Sequence, residues 1–77
     1  MISIEKLRKL VQQVCPDVDF DHSESLIDQI DSLDLVLLVD EVESEVGIKF
    51  QPIDINEKHF STIETLHALI VGYNNEI

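Results

Sequence analysis

Ser32 lies in the run Ile30-Asp31-Ser32-Leu33-Asp34-Leu35-Val36, a hydroxyl at the join between a long acidic stretch and an acidic, amphipathic one. A serine there can attack a substrate, accept a covalent group, or simply cap a helix. Attack calls for a base and a strained elbow, and no G-x-S-x-G pattern surrounds Ser32. His22, His59 and His67 fall in a loop, a short helical segment and the last helical segment. Carboxylates are plentiful, but acids on a solvated helix face need no catalytic explanation. No catalytic residue is expected, and the chain reads as a non-enzyme. Cys15, just before Pro16, reads as a small buried hydrophobe rather than a nucleophile. The stretch Asp17-Val18-Asp19-Phe20-Asp21 alternates acids as a calcium loop does. Counted from Asp17, however, the turn position is His22 instead of Gly, and the final ligand is Asp28 instead of the longer Glu. A dedicated metal site is not expected, although loose binding of divalent cations to the acidic surface is.

The elements that hold these residues are legible as helices. Ile4, Leu7, Leu10, Val11 and Val14 repeat at helical spacing, with Ser3 placed to cap the start and Pro16 to stop the end. Residues 16–31 lack a clear period and are expected to form a long loop, anchored by Val18, Phe20, Leu26, Ile27 and Ile30. Ordered loops of that length in a small domain are usually functional. A second helix is predicted from Asp31-Ser32 to about Val46, with Gly47 as its stop. Its inward stripe is read as Val36, Val39, Val42 and Val46, with Leu35 and Leu38 flanking. Asp54-Ile55-Asn56-Glu57 reads as a capping box opening a short helix over about 55–59, and Ser61-Thr62-Ile63-Glu64 as a second box. The last helix turns Ile63, Leu66, Leu69, Ile70 and Tyr73 inward and is expected to end around Gly72-Tyr73 in a frayed tail of residues 74–77. The expectation is an all-α, small four-helix bundle of three longer helices and one short one, with a long loop between the first two. Residues 1–77 are expected to form a single domain.

Composition narrows the function. The 77 residues carry sixteen acids and five Lys or Arg, a formal charge of -11 that repels phosphate backbones. Aromatic residues make up 5% and Trp is absent, which disfavours a base-stacking platform, so no nucleic-acid partner is expected. A single cysteine forms no internal disulfide, no apolar run reaches the roughly 20 residues of a membrane span, and the first residues mix charges where a signal peptide needs an apolar stretch. A cytoplasmic setting and a monomer are expected.

Asp31-Ser32-Leu33 at the head of an acidic, amphipathic helix resembles the attachment motif of acyl carrier proteins. The resemblance extends along nearly the whole chain in length, acidity, helix order and long first loop. Gly47-Ile48 closing the second helix and Phe60-Ser61-Thr62-Ile63 opening the last one fit the same pattern. It implies that Ser32 carries covalent 4'-phosphopantetheine, whose thiol holds acyl or aminoacyl cargo as a thioester. The implied partners are a phosphopantetheinyl transferase, an acyl- or aminoacyl-activating ligase, and ketosynthase- or acyltransferase-type enzymes. A helix N-terminus suits a phosphodiester, because its free N–H groups and positive dipole end face outward. Several positions depart from the family pattern. Gln29-Ile30 stands where Gly is common before the motif, Leu37 where an acid is frequent, and Asp40 where an apolar residue is common. The stretch between Val46 and Ile63 is also longer. Together these point to a stand-alone carrier in a specialised pathway rather than in housekeeping fatty-acid synthesis.

Partner docking is expected on the second helix. Asp34, Glu41 and Glu45 recur at steps of seven and four and so share one side. Asp31, Leu33 and Leu37 complete the expected docking set, with Leu37 read as a partner contact and ordinary core packing as its alternative. Two other functions are compatible with the same features. One is an unmodified acidic helical module that docks a basic partner; the other is a calcium-responsive helical protein.

Overall fold

A computed structural model describes residues 2–21 and 24–75. Among them the chain is all-helical, in the order α1 (Ile4–Val14), α2 (Leu26–Gln29), α3 (Ser32–Val46), a 3-10 turn (Pro52–Asp54) and α4 (Ile63–Asn75). No strand is present among the described residues.

Local chemistry sets the first boundaries. The Ser3 hydroxyl accepts the Lys6 N–H at 3.1 Å and opens α1. The helix closes at Cys15, whose N–H donates to the Val11 carbonyl at 2.7 Å, because Pro16 denies Cys15 helical geometry. Asp31 caps α3 by accepting the Asp34 N–H at 2.8 Å. Gly47 ends it in the left-handed region, φ 79°, where a Cβ would be strained. Beyond that turn, Phe50 is drawn back over α3, its N–H donating to Glu43 Oε2 at 2.7 Å.

Leu7 and Val11 of α1, Leu38 and Val42 of α3, Leu66 and Ile70 of α4, and Phe60 fill the centre. α1 packs against both α3 and α4. Phe50 meets Phe60 and Tyr73 edge-on, with ring centroids 6.0 and 5.4 Å apart. The radius of gyration is 11.3 Å, close to the roughly 11.5 Å of a compact chain this long.

Four expectations need correction. Residues 16–31 are not structureless, since Leu26–Gln29 form the turn of helix α2. Its first two amides are received from outside: Leu26 N–H donates to Ser61 O at 2.9 Å and Ile27 N–H to Phe60 O at 3.0 Å. Val18, Leu26 and Ile30 are buried anchors as expected, with Phe20 and Ile27 half-buried. Second, residues 55–59 form a turn and no helix. Asn56 spends its side chain locally, accepting the His59 N–H at 3.0 Å and donating to Ile53 O at 2.8 Å, which satisfies the backbone without propagating a helix. Third, the box that opens α4 lies one residue later than expected: Thr62 Oγ1 accepts the Thr65 N–H at 3.1 Å, and Thr65 Oγ1 accepts the Thr62 N–H at 3.0 Å. α4 also runs past Gly72 to Asn75, because Tyr73 is held by the ring and hydroxyl contacts of the preceding loop; residues 76–77 lie outside the described set.

Fourth, the inward face of α3 is rotated. Leu38 and Val42 are its buried residues, Leu35, Val39 and Val46 are half-buried, and Val36 is 64% exposed. Val36 stands two residues from Leu38, about 200° around the helix, so the two cannot share a face.

Candidate functional site

Ser32 is the first residue inside α3 and is exposed. It is not the cap; Asp31 does that work through its Oδ1. The hydroxyl therefore stands at the positive end of a fifteen-residue helix without the duty that serine usually performs there.

Three exposed apolar side chains surround this helix head on α3: Leu33 at 71%, Val36 at 64% and Leu37 at 49% exposure. They stand three and four residues apart and so form one continuous patch. Leu33 and Leu37 belong to the expected docking set, whereas Val36, expected on the inward stripe, joins them on the surface. The signal that would have found it is the density of apolar residues along the helix. Positions 33, 35, 36, 37, 38 and 39 are all apolar, more than one inward stripe can use.

The acids divide. Asp31, Asp40 and Glu41 are exposed, and Asp34 is half-buried. Glu45 is exposed but engaged, its Oε1 lying 3.5 Å from Lys6 Nζ on α1. It sits one heptad step from buried Leu38, which turns it toward α1 and away from the Leu33, Val36 and Leu37 patch.

Beside Val36 an apolar groove of about 260 Å³ runs between α3 and the loop that follows it. Leu35, Val36, Val39 and Ile55 line it, with Asp40 and Glu43 among its walls.

Ahead of Ser32, the short α2 is tied on both flanks. Ser25 Oγ donates to Glu57 Oε1 at 3.3 Å on one side. On the other, the Gln29 carboxamide grips the preceding loop at Asp19 and Glu24. Cys15 is buried near this end and shares a hollow with Asp31 and Asp34. Burial raises its thiol pKa above the ordinary value, and the nearby Asp34 and Asp31 carboxylates add to the effect. A thiol held neutral is a packing group, in line with its sequence reading.

The remaining polar groups serve structure. Tyr73 hydroxyl donates to Asp54 Oδ2 and accepts the Gln51 N–H at 2.9 Å, while His59 Nε2 stands 3.8 Å from Asp54 Oδ1. His67 Nε2 donates to the Ile2 carbonyl at 3.0 Å, tying the start of the chain to α4. His22 lies outside the described residues. Among those described, no three His, Cys, Asp or Glu converge as metal ligands, and no helix is long and apolar enough to cross a membrane. No family model, no curated protein and no solved structure matches this chain.

Proposed function

We propose that this chain is an acyl carrier protein, a covalent shuttle that presents cargo on 4'-phosphopantetheine attached through the Ser32 hydroxyl. The observation that carries the reading is that Ser32 is exposed at the head of α3 while Asp31 performs the capping. A side chain at that position is free to be modified without unmaking the helix. The residues fit the group: the hydroxyl is accessible, and the helix end favours a phosphodiester. When attached, the arm supplies a thiol that holds acyl or aminoacyl cargo as a thioester.

The chain's own residues do the rest. Ser32 needs no internal base, because a transferase brings its own. Leu33, Val36 and Leu37 offer a desolvatable centre, and Asp31, Asp34, Asp40 and Glu41 a negative surround. That combination suits a partner whose apolar contact is rimmed by Lys and Arg, with the charges speeding encounter and the apolar centre slowing release. The groove lined by Leu35, Val36, Val39 and Ile55 is a place for the apolar part of a cargo. In this reading the helices form a four-helix bundle in a single carrier domain, which acts as a monomer beside a transferase, an activating ligase and condensing or acyltransfer enzymes of fatty-acid, polyketide or other specialised biosynthesis.

The exposed apolar patch also favours a second reading, an unmodified acidic module that docks a basic partner through α3. Intact mass separates the two. Incubation with coenzyme A and a broad-specificity phosphopantetheinyl transferase is expected to add one phosphopantetheine mass to the wild type. No gain with several such enzymes would leave the docking module as the function.

A further inference from the structure

Gln29 is the last residue of α2 and lies three positions ahead of Ser32. Its carboxamide makes three hydrogen bonds to backbone. Oε1 accepts the Asp19 N–H at 2.9 Å; Nε2 donates to the Asp19 carbonyl at 3.1 Å and to the Glu24 carbonyl at 3.0 Å. It thus holds Asp19 from both sides, as a neighbouring strand would, and reaches the far end of the same loop at Glu24. No Lys or Arg occurs between residues 16 and 31, whereas Asp17, Asp19, Asp21 and Glu24 all lie before α2. Mutual repulsion drives such a loop to expand. The opposing contacts include the buried anchors, Arg8 placed 5.5 Å over the Phe20 ring, the bonds of Ser25, Leu26 and Ile27 to Glu57, Ser61 and Phe60, and the Gln29 carboxamide. One helical turn of four residues is marginal by itself, so α2 depends on these ties.

We propose that Gln29 is a positioning residue for docking at Ser32: by fastening the acidic loop to α2, it fixes the loop's carboxylates relative to Asp31 and Asp34, so that a basic partner meets one pre-ordered anionic surface. The proposal rests on the carrier reading. A surface ordered beforehand leaves less conformational freedom to be lost on binding, so the benefit falls on affinity and not on the chemical step. Gln29's hydrogen bonds go to Asp19 and Glu24 and none to Ser32, so its substitution is expected to leave the chemistry at the hydroxyl unaltered.

The test compares wild type, Gln29→Met and Gln29→Glu in phosphopantetheinyl transfer, followed by intact mass over a range of carrier concentrations. Amide exchange at Asp19 and thermal melting are measured in parallel. Gln29→Met keeps the stem and removes all three hydrogen bonds; it is expected to raise KM about tenfold, the loss of roughly one net hydrogen bond, with kcat within about twofold. Gln29→Glu keeps the acceptor for the Asp19 N–H but sets a carboxylate oxygen against the Asp19 and Glu24 carbonyls in an already acidic loop, and its KM should rise at least as far as that of Gln29→Met. An unchanged KM in Gln29→Met, with faster Asp19 exchange showing the loop released, would overturn the proposal. A fall in kcat that tracks the unfolded fraction would also overturn it, reducing Gln29 to a stabilising residue. Should Gln29→Met fail to fold, Gln29→Glu decides alone, and a wild-type KM there overturns it. Absence of loading in the wild type overturns the carrier reading itself, an outcome distinct from all of these.

Discussion

Lys6 Nζ and Glu45 Oε1 stand 3.5 Å apart and link α1 to the C-terminal end of α3. Glu45 therefore already has a cation, whereas Glu41, one turn earlier, makes no ion pair among the described residues and faces solvent. Charge reversal at Glu41 is expected to slow transferase association more than reversal at Glu45, measured as on-rate at low salt, with the gap closing as salt rises. Both partners of the pair are well exposed, so a double-mutant cycle on Lys6 and Glu45 should give a coupling of about 1 kcal/mol or less.

Asp31 and Ser32 are neighbours with separate duties, and substitution should separate them. Asp31→Ala removes the cap and is expected to cost about 0.5–2 kcal/mol of stability. Ser32→Ala leaves the cap in place, and its stability should change by no more than about 0.5 kcal/mol while all gain of mass with transferase is lost. Urea denaturation and intact mass on both variants check this. Modification persisting in Ser32→Ala would move the attachment site elsewhere.

Leu37 and Leu38 are adjacent but face opposite environments, 49% and 1% exposed. Leu38→Ala should cost about 2–5 kcal/mol, as a large-to-small change in a core does. Leu37→Glu, on the surface, should shift stability by about 0.5 kcal/mol or less and weaken one partner more than others. A collapse in melting temperature for Leu37→Glu would return Leu37 to the core and remove it from the docking surface.

Cys15 should be silent toward thiol reagents in the native chain and reactive on unfolding. Its folded thiol holds its proton to higher pH than the unfolded one, through burial first and the Asp34 and Asp31 charges second. Between those two pKa values the folded state binds more protons, so unfolding free energy falls as pH rises. The contribution is present below the ordinary value of 9.0 and is lost as pH climbs past it. The stability difference between wild type and Cys15→Ala should accordingly shrink from pH 8 to pH 10 in urea titrations. A carrier bearing the phosphopantetheine arm without cargo would add one fast-reacting thiol to a native chain that otherwise shows none.

The limits of α1 and α3 are readable from sequence, because their caps and breakers are local. Ser3 and Pro16 bound α1, and Asp31 and Gly47 bound α3, because each acts on backbone groups within a few residues of itself. Sequence also placed Ser32 at a helix head and Leu7, Val11, Leu66 and Ile70 in the core, since each of those helices has one dominant apolar face. The rotation of α3 was different. Apolar residues occupy so much of its first half that several inward faces are compatible with the pattern, and packing against α1 selects Leu38 and Val42 while leaving Val36 outside. The three bonds of Gln29 likewise reach five and ten residues back along the chain, and those of α2 reach across to Phe60 and Ser61. Such bonds depend on how the loop is brought round and not on any local propensity, so only the tertiary structure could decide that the residues before Ser32 are tied down.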